Sequence, residues 1–132
     1  MKTMKFPTSH KTQLMDISKE ISEFVIESGV KDGLCVVFTP HTTTSIFLFE
    51  NQDPALRRDL LNALSLIASS DKEYHHTGGN AAAHLKSSRM GASVTIPVAN
   101  GRPVLGEWQG LFFGEFDGPR QEREVMIKVI EG

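Results

Sequence analysis

The sequence predicts an α+β fold, and three observations carry that expectation. Two stretches in the first half repeat apolar residues at helical spacing, strand-like runs dominate the second half, and a short helix is signalled between Asn80 and Gly91. Such a pattern describes a mostly antiparallel sheet, curved or split into two layers, with helices on one side. At 132 residues the chain is expected to be one domain, 1–132, large enough to bury a core without covalent staples.

Taken in order, an opening strand around Met4 to Phe6 is confined to an edge or an end by Pro7. Leu14, Ile17, Ile21, Phe24 and Val25 then recur at helical spacing, with Asp16 able to cap and Gly29 after the last periodic residue. Gly33 to Thr39 and Thr42 to Phe49 are β-rich runs, the second apolar on both faces, and both predict central strands. Asp53-Pro54 is a helix start, followed by Leu56, Leu60, Leu61, Leu64 and Ile67 as an amphipathic stripe that ends near Ser69-Ser70. Beyond Gly91 the pattern is β: Ser93 to Val98, a turn at Asn100-Gly101, Pro103 to Leu105, Trp108 to Phe116, and Glu124 to Ile130.

Composition narrows the function. The 14 basic residues are scattered and net charge is −2, so the basic stripe expected of a nucleic-acid partner is missing. No apolar run approaches the length needed to cross a bilayer and none follows the N-terminus as a signal core, which predicts a cytoplasmic protein with no membrane partner. The single cysteine, Cys35, lies in an apolar strand and reads as a buried, inert thiol. P-loop, dinucleotide-binding and serine-hydrolase motifs are missing, so those chemistries have no direct support.

The richest stretch chemically runs from His76 to Gly91. Asn80 can cap a helix favoured by Ala81, Ala82, Ala83, Leu85 and Lys86, placing His84 near its middle, while Gly78-Gly79 lets His76 fold back toward the helix start. His41 sits at a Pro-His corner between two strands. Three imidazoles with an open position suit zinc or another borderline divalent metal better than magnesium, although their spacing matches no zinc motif. His10 and His75 read as surface residues. Glu50 closes a strand and Glu107-Trp108-Gln109 opens another, so either carboxylate could orient an imidazole, act as a base or simply be solvated. In the run Gly106 to Gly114, Gln109 shares an apolar face with Leu111, Phe113 and Glu115, so Gln109 and Glu115 need partners there. Phosphate could be held by Lys86, Arg57 or Arg123, or by backbone N–H groups near Asn80.

His41-Thr42-Thr43-Thr44-Ser45, Glu50-Asn51-Gln52-Asp53-Pro54 with Arg57 and Asp59, Asn80 to His84 with Lys86-Ser87-Ser88, and Gly106-Glu107-Trp108-Gln109-Gly110 together resemble the YjbQ-like family over nearly the whole chain. The resemblance implies a two-layer, mostly antiparallel β-sandwich with two main helices, assembled as a homotrimer around a threefold axis. It also implies a secondary thiamine-phosphate synthase that condenses hydroxymethylpyrimidine diphosphate with a thiazole phosphate, with His41, His76 and His84 as ligands of a divalent metal, zinc first among them. On that reading Lys86, Arg57 and Arg123 hold phosphates, Trp108 stacks on a ring, Asn51 and Gln109 contact the small phosphorylated substrate, and Glu50, Lys86 and Glu107 serve catalysis. Two alternatives stand beside it: a zinc-dependent hydrolase with Glu50 or Glu107 as base, and a non-catalytic metal-binding trimer.

Overall fold

Alternation along each strand decides which faces meet. In the computed structural model, which describes residues 1–132, the chain runs β1 (Lys2–Thr8), β2 (Gln13–Asp16), α1 (Ser18–Ser28), β3 (Asp32–Phe38), β4 (Thr44–Glu50), α2 (Pro54–Ile67), α3 (Ala81–Met90), β5 (Ser93–Ala99), β6 (Arg102–Pro103), β7 (Gln109–Glu115) and β8 (Arg120–Glu131). A five-stranded sheet has the order β1-β8-β3-β5-β6 and a three-stranded sheet the order β2-β7-β4. Every pairing is antiparallel.

The main core lies between the sheets. Cys35 and Val37 from β3, Ile96 and Val98 from β5, and Val125 and Ile127 from β8 face Ile46 of β4 and Leu111 and Phe113 of β7, with Ile17, Ile21 and Val25 completing the cluster beside and along α1. Each such side chain contributes about 1.5–3 kcal/mol by leaving water. A second cluster, Leu64 of α2, Ala83 of α3 and Phe116, with Leu14, Leu60, Leu61 and Met90 around it, joins the two helices to the other side of the three-stranded sheet. That sheet is therefore covered on both faces, which is why β4 and β7 read as continuous apolar runs.

Several expectations are corrected here. Leu14 is not on the first helix but in β2, a short edge strand paired with β7. Asp16 ends that strand and accepts from the backbone N–H and the hydroxyl of Ser18, at 2.9 and 2.6 Å, so it braces the start of α1 from just outside the cap position. Strand β4 is an edge strand shielded by α3 rather than a central one. The short helix expected between Asn80 and Gly91 does form, as α3. At the end of α2, Ile67 is 59% exposed, so the apolar stripe stops at Leu64.

Other expectations are met. Gly29 closes α1 at φ 72°, Asp53 Oδ1 accepts from the Ala55 N–H at 3.0 Å to open α2, and Asn100-Gly101, at φ 53° and 77°, turns β5 into β6. Strand β1 lies at a sheet edge and β3 lies between β8 and β5. Cys35 is fully buried, and burial pushes its thiol up to about 11. No helix is long and apolar enough to cross a membrane.

Candidate functional site: a lysine-lined cavity at the start of α3

The register of β4 on β7 divides the residues singled out in the sequence. Thr44 pairs with Glu115 at one end and Glu50 with Gln109 at the other. Six residue steps of extended chain separate the ends by about 20 Å. Glu50, Asn51, Arg57, Glu107, Trp108 and Gln109 gather at or near one end; His41, Lys86 and Arg123 belong to the other. They do not form one site within a single chain.

At the Glu50 end most polar groups hold turns. Glu50 Oε1 accepts from the backbone N–H groups of Gln52 and Asp53, Gln109 Oε1 from that of Gly106, and the Asn51 amide reaches Asp16 and the Gln109 carbonyl. Arg57 donates to the Asn51 carbonyl at 3.2 Å and lies over the Phe112 ring at 5.0 Å. Glu107 and Trp108 stand exposed in the turn before β7.

At the other end, Arg123 is 2% exposed and committed to Glu115, with Nε on Oε1 at 2.7 Å and Nη2 on Oε2 at 2.5 Å, and a further bond to Thr43. The Thr8 hydroxyl donates to Glu115 Oε1 at 2.7 Å and the Asp117 N–H to Oε2 at 3.0 Å. Burial pushes that carboxyl up, but the Arg123, Thr8 and Asp117 hydrogen bonds outweigh it and hold it below its ordinary value. Arg123 is therefore a structural cation and not a substrate contact, and Glu115 finds inside the chain the partner its apolar face demands.

The three histidines do not converge. The Glu124 backbone N–H donates to His41 Nε2 at 2.9 Å, so the neutral ring carries its proton on Nδ1 and has no free lone pair for a metal. Burial, then the nearby Arg123 charge, holds the His41 pKa below its ordinary 6.5. His76 and His84 stand edge to face with centroids 5.2 Å apart. Asn80 donates its amide N–H to Asp117 at 2.9 Å, which turns its oxygen toward His76 Nε2 at 3.0 Å. His84 lines one shallow groove with His41, Thr42, Ser87 and Ser88 and another with His76, so it stands between the other two rings. No group of three or more His, Cys, Asp or Glu side chains is placed to hold a metal ion. The expected divalent-metal centre at His41, His76 and His84 is overturned by the hydrogen bonding and placement of its own ligands.

What the fold does build is a cavity of about 200 Å³ at the start of α3, lined by Lys11, Lys72, Lys86, Asn80 and His76 among others, with Ala81–Ala83, Tyr74 and Phe116 as its apolar wall. No carboxylate lines it. Lys86 is only 7% exposed and has no hydrogen-bond or ion-pair partner. Burial, then the Lys11 charge, lowers its pKa. Asn80 occupies the cap position of α3 without capping it, because its side chain is spent on His76 and Asp117. The backbone N–H groups of Ala81 and Ala82 therefore have no protein acceptor. Asp117 ties the rim together: it accepts from Lys11 at 2.6 Å, Asn80 at 2.9 Å and Arg120 at 3.0 Å. Burial raises its pKa, and these donors more than reverse the effect, leaving it at about 2. Sequence reasoning reached Lys86 and the helix start but missed Lys11, Lys72 and Asp117. No local pattern marks them, since Lys11 and Asp117 meet across 106 positions.

Two antiparallel sheets with α3 laid over β4 form the fold this chain shares with solved YjbQ-type proteins. The chain belongs to that family: the model of the UPF0047 protein YjbQ-like family matches residues 2–132. Similar proteins include UPF0047 protein MJ1081 of Methanocaldococcus jannaschii, 46% identical over 93% of this chain and 88% of that protein, and UPF0047 protein YugU of Bacillus subtilis, 41% identical over 98% of each. Among solved structures, a YjbQ/UPF0047 family protein of Clostridium acetobutylicum superposes with a TM-score of 0.95 at 45% identity, covering 98% of this chain and 100% of that one. A protein of Sulfolobus solfataricus described as of unknown function gives 0.95 at 30% identity, covering 99% and 96%. These descriptions name a family and no reaction, and with no metal-holding cluster the expectations of a thiamine-phosphate synthase, a transferase and a zinc-dependent hydrolase are corrected to family membership alone.

Proposed function

We propose that this protein binds a small anionic molecule, such as a phosphorylated metabolite, in the cavity at the start of α3. One observation carries the reading: Lys86, a residue only 7% exposed, presents its ammonium to the cavity without any acidic partner. Withdrawing a cation from water is costly unless something negative offsets it, and the chain supplies nothing. The helix start and Lys72 add to the same positive field. Isothermal titration with inorganic phosphate at low ionic strength tests this. Binding that weakens with salt and disappears in Lys86→Met supports it; an unchanged isotherm in that variant refutes it.

The same reading includes a homotrimer. Support comes from the outer face of the five-stranded sheet, where Leu34 and Phe38 of β3 and Ile130 of β8 are 44%, 40% and 44% exposed and adjoin in register through Leu34–Ile130 and Phe38–Met126. Strand β7 is buried by its own chain from Gly110 onward and cannot serve as that contact.

A further inference from the structure

Counting the charges around the cavity narrows what it takes. Of its three ammoniums, Lys11 is already matched by Asp117 at 2.6 Å, whereas Lys72 and Lys86 have no carboxylate within ion-pair distance. Two uncompensated positive charges therefore face the cavity, together with the positive end of a ten-residue helix whose Ala81 and Ala82 N–H groups are unclaimed. A monoanion would match Lys86 and leave the exposed Lys72 at the cavity rim uncompensated.

The space is small. At about 200 Å³ the cavity falls below the roughly 300–1,000 Å³ of sites for drug-sized ligands. The apolar wall of Ala81, Ala82, Ala83 and Phe116 offers no polar contact beyond the backbone.

From this geometry we infer that the ligand is a small phosphate monoester, held by its terminal dianionic phosphoryl group between Lys86, Lys72 and the Ala81 and Ala82 N–H groups, with a short organic part against the alanine and Phe116 wall. The inference rests on the anion reading of the cavity and sharpens it to a doubly charged tetrahedral group. A monoester phosphate has its second pKa near 6, so above pH 7 it presents two charges and three acceptor oxygens. Its methyl sulfate isostere presents one charge on the same shape.

The test is a titration of the full chain at pH 7.5 and fixed ionic strength with methyl phosphate, methyl sulfate and acetate. Losing one charge from the ligand removes a charge-assisted contact, so methyl phosphate should bind about tenfold or more tightly than either monoanion. Lys86→Met should abolish the preference while the melting temperature is maintained or raised, since it replaces an unpaired buried charge with an apolar chain. Should that variant fail to fold, Lys72→Ala at its exposed position should weaken methyl phosphate several-fold, and an unchanged affinity there overturns the inference. Equal affinity for methyl phosphate and methyl sulfate overturns the dianion inference and leaves the anion site standing. Binding of none of the three at millimolar concentration removes both.

Discussion

Arg123 and Glu115 meet inside the protein, 2% and 0% exposed, as a two-point ion pair bridging β8 and β7. Thr8 and Thr43 take up remaining hydrogen-bonding capacity on each side, so the pair links both sheets. Desolvation makes the intact pair a weak source of net stability, but breaking it is costly because it strands a charge.

Glu115→Ala is therefore expected to destabilise the protein by about 3–5 kcal/mol, measured by urea unfolding. The double change Glu115→Leu with Arg123→Met should recover most of that loss, because it removes both charges together. A double variant as unstable as the single one would show that the pair contributes attraction well beyond its desolvation cost.

Asp117 sets the acid side of stability. Its folded carboxyl is held at about 2 against an ordinary 3.8, so the unfolded chain takes up a proton before the folded one does. The contribution is present above pH 4 and is lost as pH falls toward 2; Glu115, also held low, acts in the same direction. The Asp117 part amounts to about 2 kcal/mol. Asp117→Asn should flatten the stability profile between pH 4 and 2 in denaturant melts at stepped pH. A profile as steep as the parent's would remove Asp117 from this role.

Much of the fold was legible because its signals are local. Asp53-Pro54, Asn100-Gly101 and Gly29 each specify backbone that the structure adopts. The misreadings have a common physical origin in tertiary partners. Leu14 continues the helical spacing of Ile17 and Ile21, yet hydrogen bonding to β7 pulls it into β2. Arg123 carries the same side chain whether it binds phosphate or neutralises Glu115, and only the β7–β8 arrangement decides. His41, His76 and His84 looked convergent because spacing in sequence does not reveal that a backbone N–H from β8 occupies the His41 lone pair. The cavity was half legible, through Lys86 and the helix start, while its other cations and Asp117 come from segments far along the chain.

Ser45 lies fully buried on β4, and its hydroxyl has no hydrogen-bond partner. A Cβ on Gly114 across the strand pair would come within 2.5 Å of that oxygen, so glycine is what admits the serine there. An unsatisfied buried hydroxyl costs roughly 1–3 kcal/mol. Ser45→Ala should therefore be neutral or stabilising by up to about 1 kcal/mol in thermal or urea unfolding, where most buried substitutions destabilise. A clear loss of stability would mean the hydroxyl has a partner, such as a buried water.

The proposed trimer forms through the outer face of the five-stranded sheet. Leu34, Phe38 and Ile130 present their side chains there, while the neighbouring Cys35, Val37 and Val129 point toward the core side. A stable contact between copies buries on the order of 800 Å² per partner, and losing its apolar centre to charge leaves lysine ammoniums facing one another. Leu34→Lys with Phe38→Lys should lower the mass seen by light scattering from three chains to one, and should leave the fold intact by circular dichroism because both positions are already 40–44% exposed. Phosphate titration of the resulting monomer then decides whether the α3 cavity is complete within one chain, as its lining residues indicate. A parent protein that scatters as a monomer, or a trimer indifferent to both lysines, would move the oligomer contact off this face.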